Sequence, residues 1–114
     1  MGKDSPVLSE HAEQALFVQW FRRSFPGVRI FAIPNGGGRS RSQGAKLKVE
    51  GVSAGVPDLL IPDGMIWVEM KRAKGGSVYK EQKDWHAYLE SIGHTVIVGW
   101  GFSDAKDKIL ACIK

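Results

Sequence analysis

The sequence predicts an α/β fold, a mixed central β-sheet of about four strands flanked by helices. Two observations predict it. Segments of helical periodicity alternate with short β-branched runs along the 114 residues. The middle runs "DLLIP" and "MIWVEMKR" are joined only through Asp63-Gly64, which makes them an antiparallel hairpin. A helix separates "MIWVEMKR" from the last run, and a crossover through it lays that pair parallel. The length suits one domain, residues 1–114, with one core.

In chain order, "SEHAEQALFVQWFRRSF" reads as a helix. Ser9 is its N-cap, Glu10 lies in its first turn, and Leu16, Phe17, Trp20 and Phe21 form its apolar face. Pro26 and Gly27 stop it. "VRIFAI" is a strand ending at Pro34. "NGGGRSRSQGAKLKVEG" is a Gly- and Arg-rich loop holding a short helix over "SQGAKLKVE". After the hairpin, "YKEQKDWHAYLESIG" is a helix finished by Gly93. "TVIVGW" is the fourth strand, and "SDAKDKILACI" a closing helix with Ser103 as N-cap.

The net charge of +4 points mildly towards a polyanionic partner. The single cysteine, Cys112, excludes an internal disulfide and a multi-cysteine zinc site, and is expected as a small core residue. Lys3, Asp4, Glu10 and Glu13 interrupt the N-terminal region, so neither a signal peptide nor a membrane span is expected. The expected location is intracellular: cytoplasmic, or host cytoplasm for a viral protein.

Asp58, Glu69 and Lys71 stand inside the two most strand-like segments, where charged side chains are rare unless paired or bound to a metal. Alternation puts Met65, Trp67, Glu69 and Lys71 on one face and Ile66, Val68 and Met70 on the other. The hairpin brings Asp58, at the start of the partner strand, towards Glu69 and Lys71. Two close carboxylates repel unless a proton or cation lies between them. Mg²⁺ suits such a site, because it takes hard oxygen ligands and often only one or two carboxylates. On its own, however, E-x-K is a common pattern that also describes a salt bridge at a sheet edge.

"GVPD" followed eleven residues later by "EMK" resembles the PD-(D/E)xK nuclease signature. The wider set "IPNGGGRS", "GVSAGVPDLLIP", "GMIWVEMKRAKGG" and "EQ" resembles the virus-type replication-repair nuclease (VRR-NUC) branch, from about Glu10 to Gln82. The resemblance implies a restriction-endonuclease-like core and a Mg²⁺- or Mn²⁺-dependent endonuclease. It implies DNA as partner, with branched substrates such as flaps or four-way (Holliday) junctions in replication, repair or recombination. It assigns Asp58 and Glu69 as metal ligands, the Met70 carbonyl as a further one, Lys71 as catalytic, and Gln82 as the residue holding the lysine or the water. It also supplies a glutamate from the first helix. The helical wheel does not separate Glu10 from Glu13, and the family's E-x-x-x-Q spacing, met by Glu10 and Gln14, selects Glu10 as catalytic and as a ligand. A copy this small is expected to act as a homodimer, whose two sites would cut paired strands.

The loop and its flanks carry the expected DNA-backbone contacts: Asn35, Gly36, Arg39, Arg41, Lys46 and Lys48, with Arg72 and Lys74 beyond the hairpin. The loop is not a nucleotide-binding P-loop, because five residues separate Gly38 from Gly44 and Ala45 precedes Lys46. His11, His86 and His94 are not spaced as a metal cluster, and His86 reads as a surface or half-buried helix residue. The four tryptophans read as core or interface. The competing readings are a non-catalytic DNA-binding module, in which Glu69–Lys71 is a buried ion pair, and an RNA-cleaving enzyme on the same fold.

Overall fold

The computed structural model describes residues 7–34 and 41–113, the side chains of 41–43 excepted. Four helices and four strands follow in the order α1 (Glu10–Ser24), β1 (Phe31–Ala32), α2 (Arg41–Val49), β2 (Leu59–Ile61), β3 (Ile66–Lys71), α3 (Lys80–Ser91), β4 (Thr95–Trp100) and α4 (Phe102–Cys112). The sheet runs β1-β2-β3-β4, with β1/β2 and β2/β3 antiparallel and β3/β4 parallel. This is the predicted mixed sheet. No helix among the described residues is long and apolar enough to cross a membrane.

The ends of the elements follow local chemistry. The Ser9 hydroxyl accepts from the Ala12 N–H at 3.1 Å, capping α1 as expected. The β2–β3 connection is longer than two residues. Ile61 pairs with Ile66, the Met65 N–H bonds to the Pro62 carbonyl, and Gly64 and Met65 both take positive φ. At the end of α3, His94 N–H reaches the Leu89 carbonyl and Gly93 N–H the Glu90 carbonyl, with Gly93 at φ 93°. That is a Schellman closure, which a residue other than glycine enters only with strain.

Three expectations are corrected. The first strand is only Phe31–Ala32 rather than "VRIFAI": Val28 N–H closes a turn onto Phe25, and the Ile30 carbonyl accepts from the Arg22 guanidinium at 3.3 Å. Ser103 is not an N-cap. The cap lies two residues earlier, at Gly101 with φ 90°, and the first N–H of α4, on Phe102, donates to the Glu13 carboxylate at 2.8 Å. Cys112 is exposed. The inward stripe of α4 is Ala105, Ile109 and Ile113 at four-residue spacing, and Cys112 falls one residue off it.

The sheet has two unlike faces. Ile66, Val68 and Met70 of β3 join Leu59, Ile61 and Ile97 in an apolar core closed by Phe17 and Phe21 of α1 and Ala105 and Ile109 of α4. The alternate residues Trp67, Glu69 and Lys71 face the other side, where α3 supplies hydrogen-bond partners for Glu69 and Lys71 and His94, just after α3, accepts from the Trp67 indole N–H.

Candidate active site

The hairpin register decides where the charges meet. Leu59 pairs with Val68, and the same register carried one step outward sets Asp58 opposite Glu69. One step further it sets Pro57 opposite Met70. The Met70 N–H, which a ladder would have sent to Pro57, donates instead to Asp58 Oδ2 at 2.7 Å. Pro57 has no N–H to give, so the ladder supplies no donor to the Met70 carbonyl, which points to the same side as its N–H. The Pro-Asp pair therefore leaves one backbone oxygen available beside two carboxylates.

Glu69 and Lys71 are buried, at 1 % and 2 % exposure, yet they do not pair with each other. Among the described residues the one Lys–carboxylate ion pair is Lys108–Asp104, and Glu69 meets His86 instead. Gln82 stands between the two charges instead. Its Oε1 accepts from Lys71 Nζ at 2.9 Å and its Nε2 donates to Glu69 Oε2 at 3.0 Å. The same Oε1 also accepts from the Tyr79 N–H at 2.9 Å, so one amide both caps α3 and spaces the lysine from the glutamate. A lysine held in this way keeps its charge free for a third party.

α3 is held where Gln82 can do this by a close backbone approach. Gly55, at φ 94°, lies so near α3 that an added Cβ would sit 2.5 Å from the Glu81 carbonyl oxygen. The glycine of "SAGVPD" thus couples the segment leading to Asp58 with the first turn of α3.

Burial, then the Asp58 charge and a hydrogen bond between the two carboxyls, push the Glu69 carboxyl up to about 9; Lys71 opposes and Glu10 adds least. Without a cation the pair therefore retains a proton. His86, one turn after Gln82, places Nε2 3.2 Å from Glu69 Oε1. Burial lowers its pKa and Lys71 lowers it further, against Glu90 and Asp58, so the contact is a hydrogen bond of a neutral imidazole rather than an ion pair.

The donor set fits a hard divalent cation. Two facing carboxyls and a carbonyl without a ladder donor are oxygen ligands, and a cation would replace the proton the pair otherwise keeps. No group of three or more His, Cys, Asp or Glu is arranged for a metal among the described residues. Glu10 is accordingly not gathered with Asp58 and Glu69, although its charge reaches Glu69. Glu13 is buried and engaged at the start of α4, which leaves Glu10, exposed on the first turn of α1, as the available carboxylate of the two.

Of the expected DNA contacts, Asn35, Gly36 and Arg39 lie outside the described residues, as does the Arg41 side chain. Lys46 and Lys48 are exposed on α2, and Arg72 and Lys74 on the loop after β3. Two site residues were missed. His86 shares a helix face with Gln82 at i, i+4, and that spacing was the available signal. Tyr79 places its ring 4.7 Å from Lys71 Nζ, a contact for which the sequence carried no signal.

A scan of family models and a search of curated proteins return no match. Among solved structures, one titled "VRR_NUC domain protein" matches with a TM-score of 0.76 and 25% identity, covering 92% of this chain and 88% of that one. This likeness supports a VRR-NUC domain in the chain. The sequence resemblance and the architecture agree, and the VRR-NUC neighbour supports a nuclease-domain family.

Proposed function

We propose that this VRR-NUC domain, spanning residues 1–114, is an intracellular Mg²⁺- or Mn²⁺-dependent endonuclease that hydrolyses phosphodiesters in branched DNA, flaps or four-way junctions, during replication, repair or recombination. The observation that carries the reading is the Gln82 bridge. A merely structural Glu69–Lys71 pair would close on itself, whereas here the lysine is buried and held apart from the carboxylate beside it.

Asp58, Glu69 and the Met70 carbonyl would hold the cation, and Glu10, which is not gathered with them in this structure, would join the set only by moving towards it. A cation held there would supply Lewis-acid chemistry, polarising a phosphoryl oxygen and lowering the pKa of water. Lys71 places its ammonium where charge develops on the phosphoryl group, and Gln82 fixes that ammonium. Asn35, Gly36, Arg39, Arg41, Lys46, Lys48, Arg72 and Lys74 supply salt-sensitive contacts to the backbone without reading bases. Two copies related by a two-fold axis would present paired sites to a junction.

The test is cleavage of labelled duplex, flap, four-way-junction and RNA substrates with Mg²⁺, Mn²⁺ or EDTA, beside Lys71→Ala. Metal-dependent cutting of branched DNA, reduced by about 10²–10³-fold in the variant, is expected. Tight, salt-sensitive binding with no cutting under any metal would contradict it. A monodisperse monomer that cuts flaps but leaves junctions intact would remove the dimer.

A further inference from the structure

Tyr79 is poorly explained as a structural residue. It stands at the N-cap of α3, a position that favours Ser, Thr, Asp or Asn, whose short side chains reach the free N–H groups of the first turn. A phenol ring is too long for that task, and here Gln82 caps from inside the helix by accepting the Tyr79 N–H. Nor does the ring belong to the core: Tyr79 is 61 % exposed, among the most exposed of the large hydrophobic side chains. What the ring does touch is Lys71, whose Nζ lies over it at 4.7 Å from the centroid. The loop leading to it packs in ordinary van der Waals contact with the same lysine, an added Cβ at Gly76 lying 3.5 Å from Lys71 Cβ. A large aromatic ring is therefore displayed to solvent while one edge of its environment is the ammonium that would face the reacting phosphate.

We infer that Tyr79 is a stacking shelf for the nucleobase next to the phosphate at Lys71. This rests on the nuclease reading and deepens it. Stacking on one aromatic side chain is tolerant of base identity, because every base has a π-face, but it requires a base that has left its own stack. Such bases are found in single-stranded flaps and at branch points, and are costly to extract from continuous duplex. Tyr79 thus supplies a preference for branched over fully paired DNA that the backbone-directed cations do not. The ring acts on substrate position, while Gln82 independently holds the lysine. Loss of the ring is therefore expected to appear in binding and KM before it appears in kcat.

The experiment places 2-aminopurine at successive nucleotides through the branch point of a flap DNA and titrates the full chain in EDTA, so that binding is read without cleavage. The wild type is expected to quench the fluorescence of a probe at one or two positions. Tyr79→Ala is expected to abolish that quench and weaken binding by about 5- to 100-fold, the range of a single base–aromatic stack. Tyr79→Phe is expected to restore both, since it keeps the ring and removes only the hydroxyl. With Mg²⁺ or Mn²⁺, Tyr79→Ala is expected to raise KM for the flap more than it lowers kcat. Failure of Tyr79→Phe to restore the quench would assign the role to the phenol hydroxyl and overturn the stacking. A quench indifferent to Tyr79→Ala, in a protein that still cuts the flap with metal, overturns the inference and leaves the nuclease reading standing. A Tyr79-dependent quench without cutting under any metal supports the shelf and overturns the nuclease reading instead.

Discussion

Val68 and Met70 point to one face of β3 and Glu69 and Lys71 to the other, and all four are almost fully buried. On the first face, burial is the whole explanation: Phe17, Phe21, Leu59 and Ile109 close an apolar core that removes hydrocarbon from water. On the second face the same degree of burial is a cost, met by hydrogen bonds from α3 and, at Glu69, by retention of a proton. The difference teaches that exposure alone does not separate structural from functional positions along a strand. What separates them is whether the groups a residue meets leave anything unspent. Val68 is finished by its neighbours, whereas Lys71 is held by a neutral amide and an aromatic ring, and its charge is left for use.

The largest expected effect breaks the apolar side. Phe17→Ala removes a fully buried ring and is expected to cost about 3–5 kcal/mol of stability, read as a lowered denaturant midpoint. An effect below about 1 kcal/mol would mean that this face is not the core.

Glu69→Gln should act in the opposite direction on stability. The folded carboxyl titrates at about 9 and its ordinary value is 4.5. The native state therefore holds a proton that the unfolded chain has lost between those limits, and stability falls as pH rises through that window. In EDTA, the wild type should lose up to about 3 kcal/mol between pH 4.5 and 7 from this group, and Glu69→Gln should flatten that slope. Thermal melts across pH measure it. A variant as pH-sensitive as the wild type would show that Glu69 is ionised without metal.

Most of the fold was legible because its signals are local. Alternation in "MIWVEMKR", the Asp63-Gly64 turn, Ser9 and Gly93 each act within a few residues, and the sheet order follows from them. The misses are long-range. Glu13 caps α4 across 89 residues of sequence, so nothing near Ser103 could show that the helix starts earlier. The length of β1 is set by Arg22 and by its place at the edge of the sheet. The placement of Asp58, Glu69 and Lys71 was legible because the hairpin register brings them together, whereas Gln82 entered only through the family resemblance. His86 was passed over because it was read as a lone helix histidine rather than by its i, i+4 spacing to Gln82.

Two glycines, one packed on α3 and one in open space on α2, give the smaller effects. Gly55→Ala is expected to destabilise by about 1–2 kcal/mol from its φ of 94° alone, with more from the approach to Glu81, and to reduce cleavage by displacing Gln82. Gly44→Ala, inside α2 with nothing within 4 Å of the added Cβ, should stabilise by about 0.5–1 kcal/mol. Equal effects of the two would remove the claim that Gly55 is placed for the site.

The central claim is that the α3 face of the sheet is built around a cation which the apolar face neither needs nor feels. It is tested most directly by thermal unfolding at pH 8 with Mn²⁺ against EDTA, for the wild type, Glu69→Gln and, as the apolar-side control, Val68→Ala. The account predicts that Mn²⁺ raises the melting temperature of the wild type and of Val68→Ala by the same increment, since ligand binding to the native state adds stability by mass action, and that Glu69→Gln loses the increment. An unchanged increment in Glu69→Gln, or none in the wild type, would contradict it.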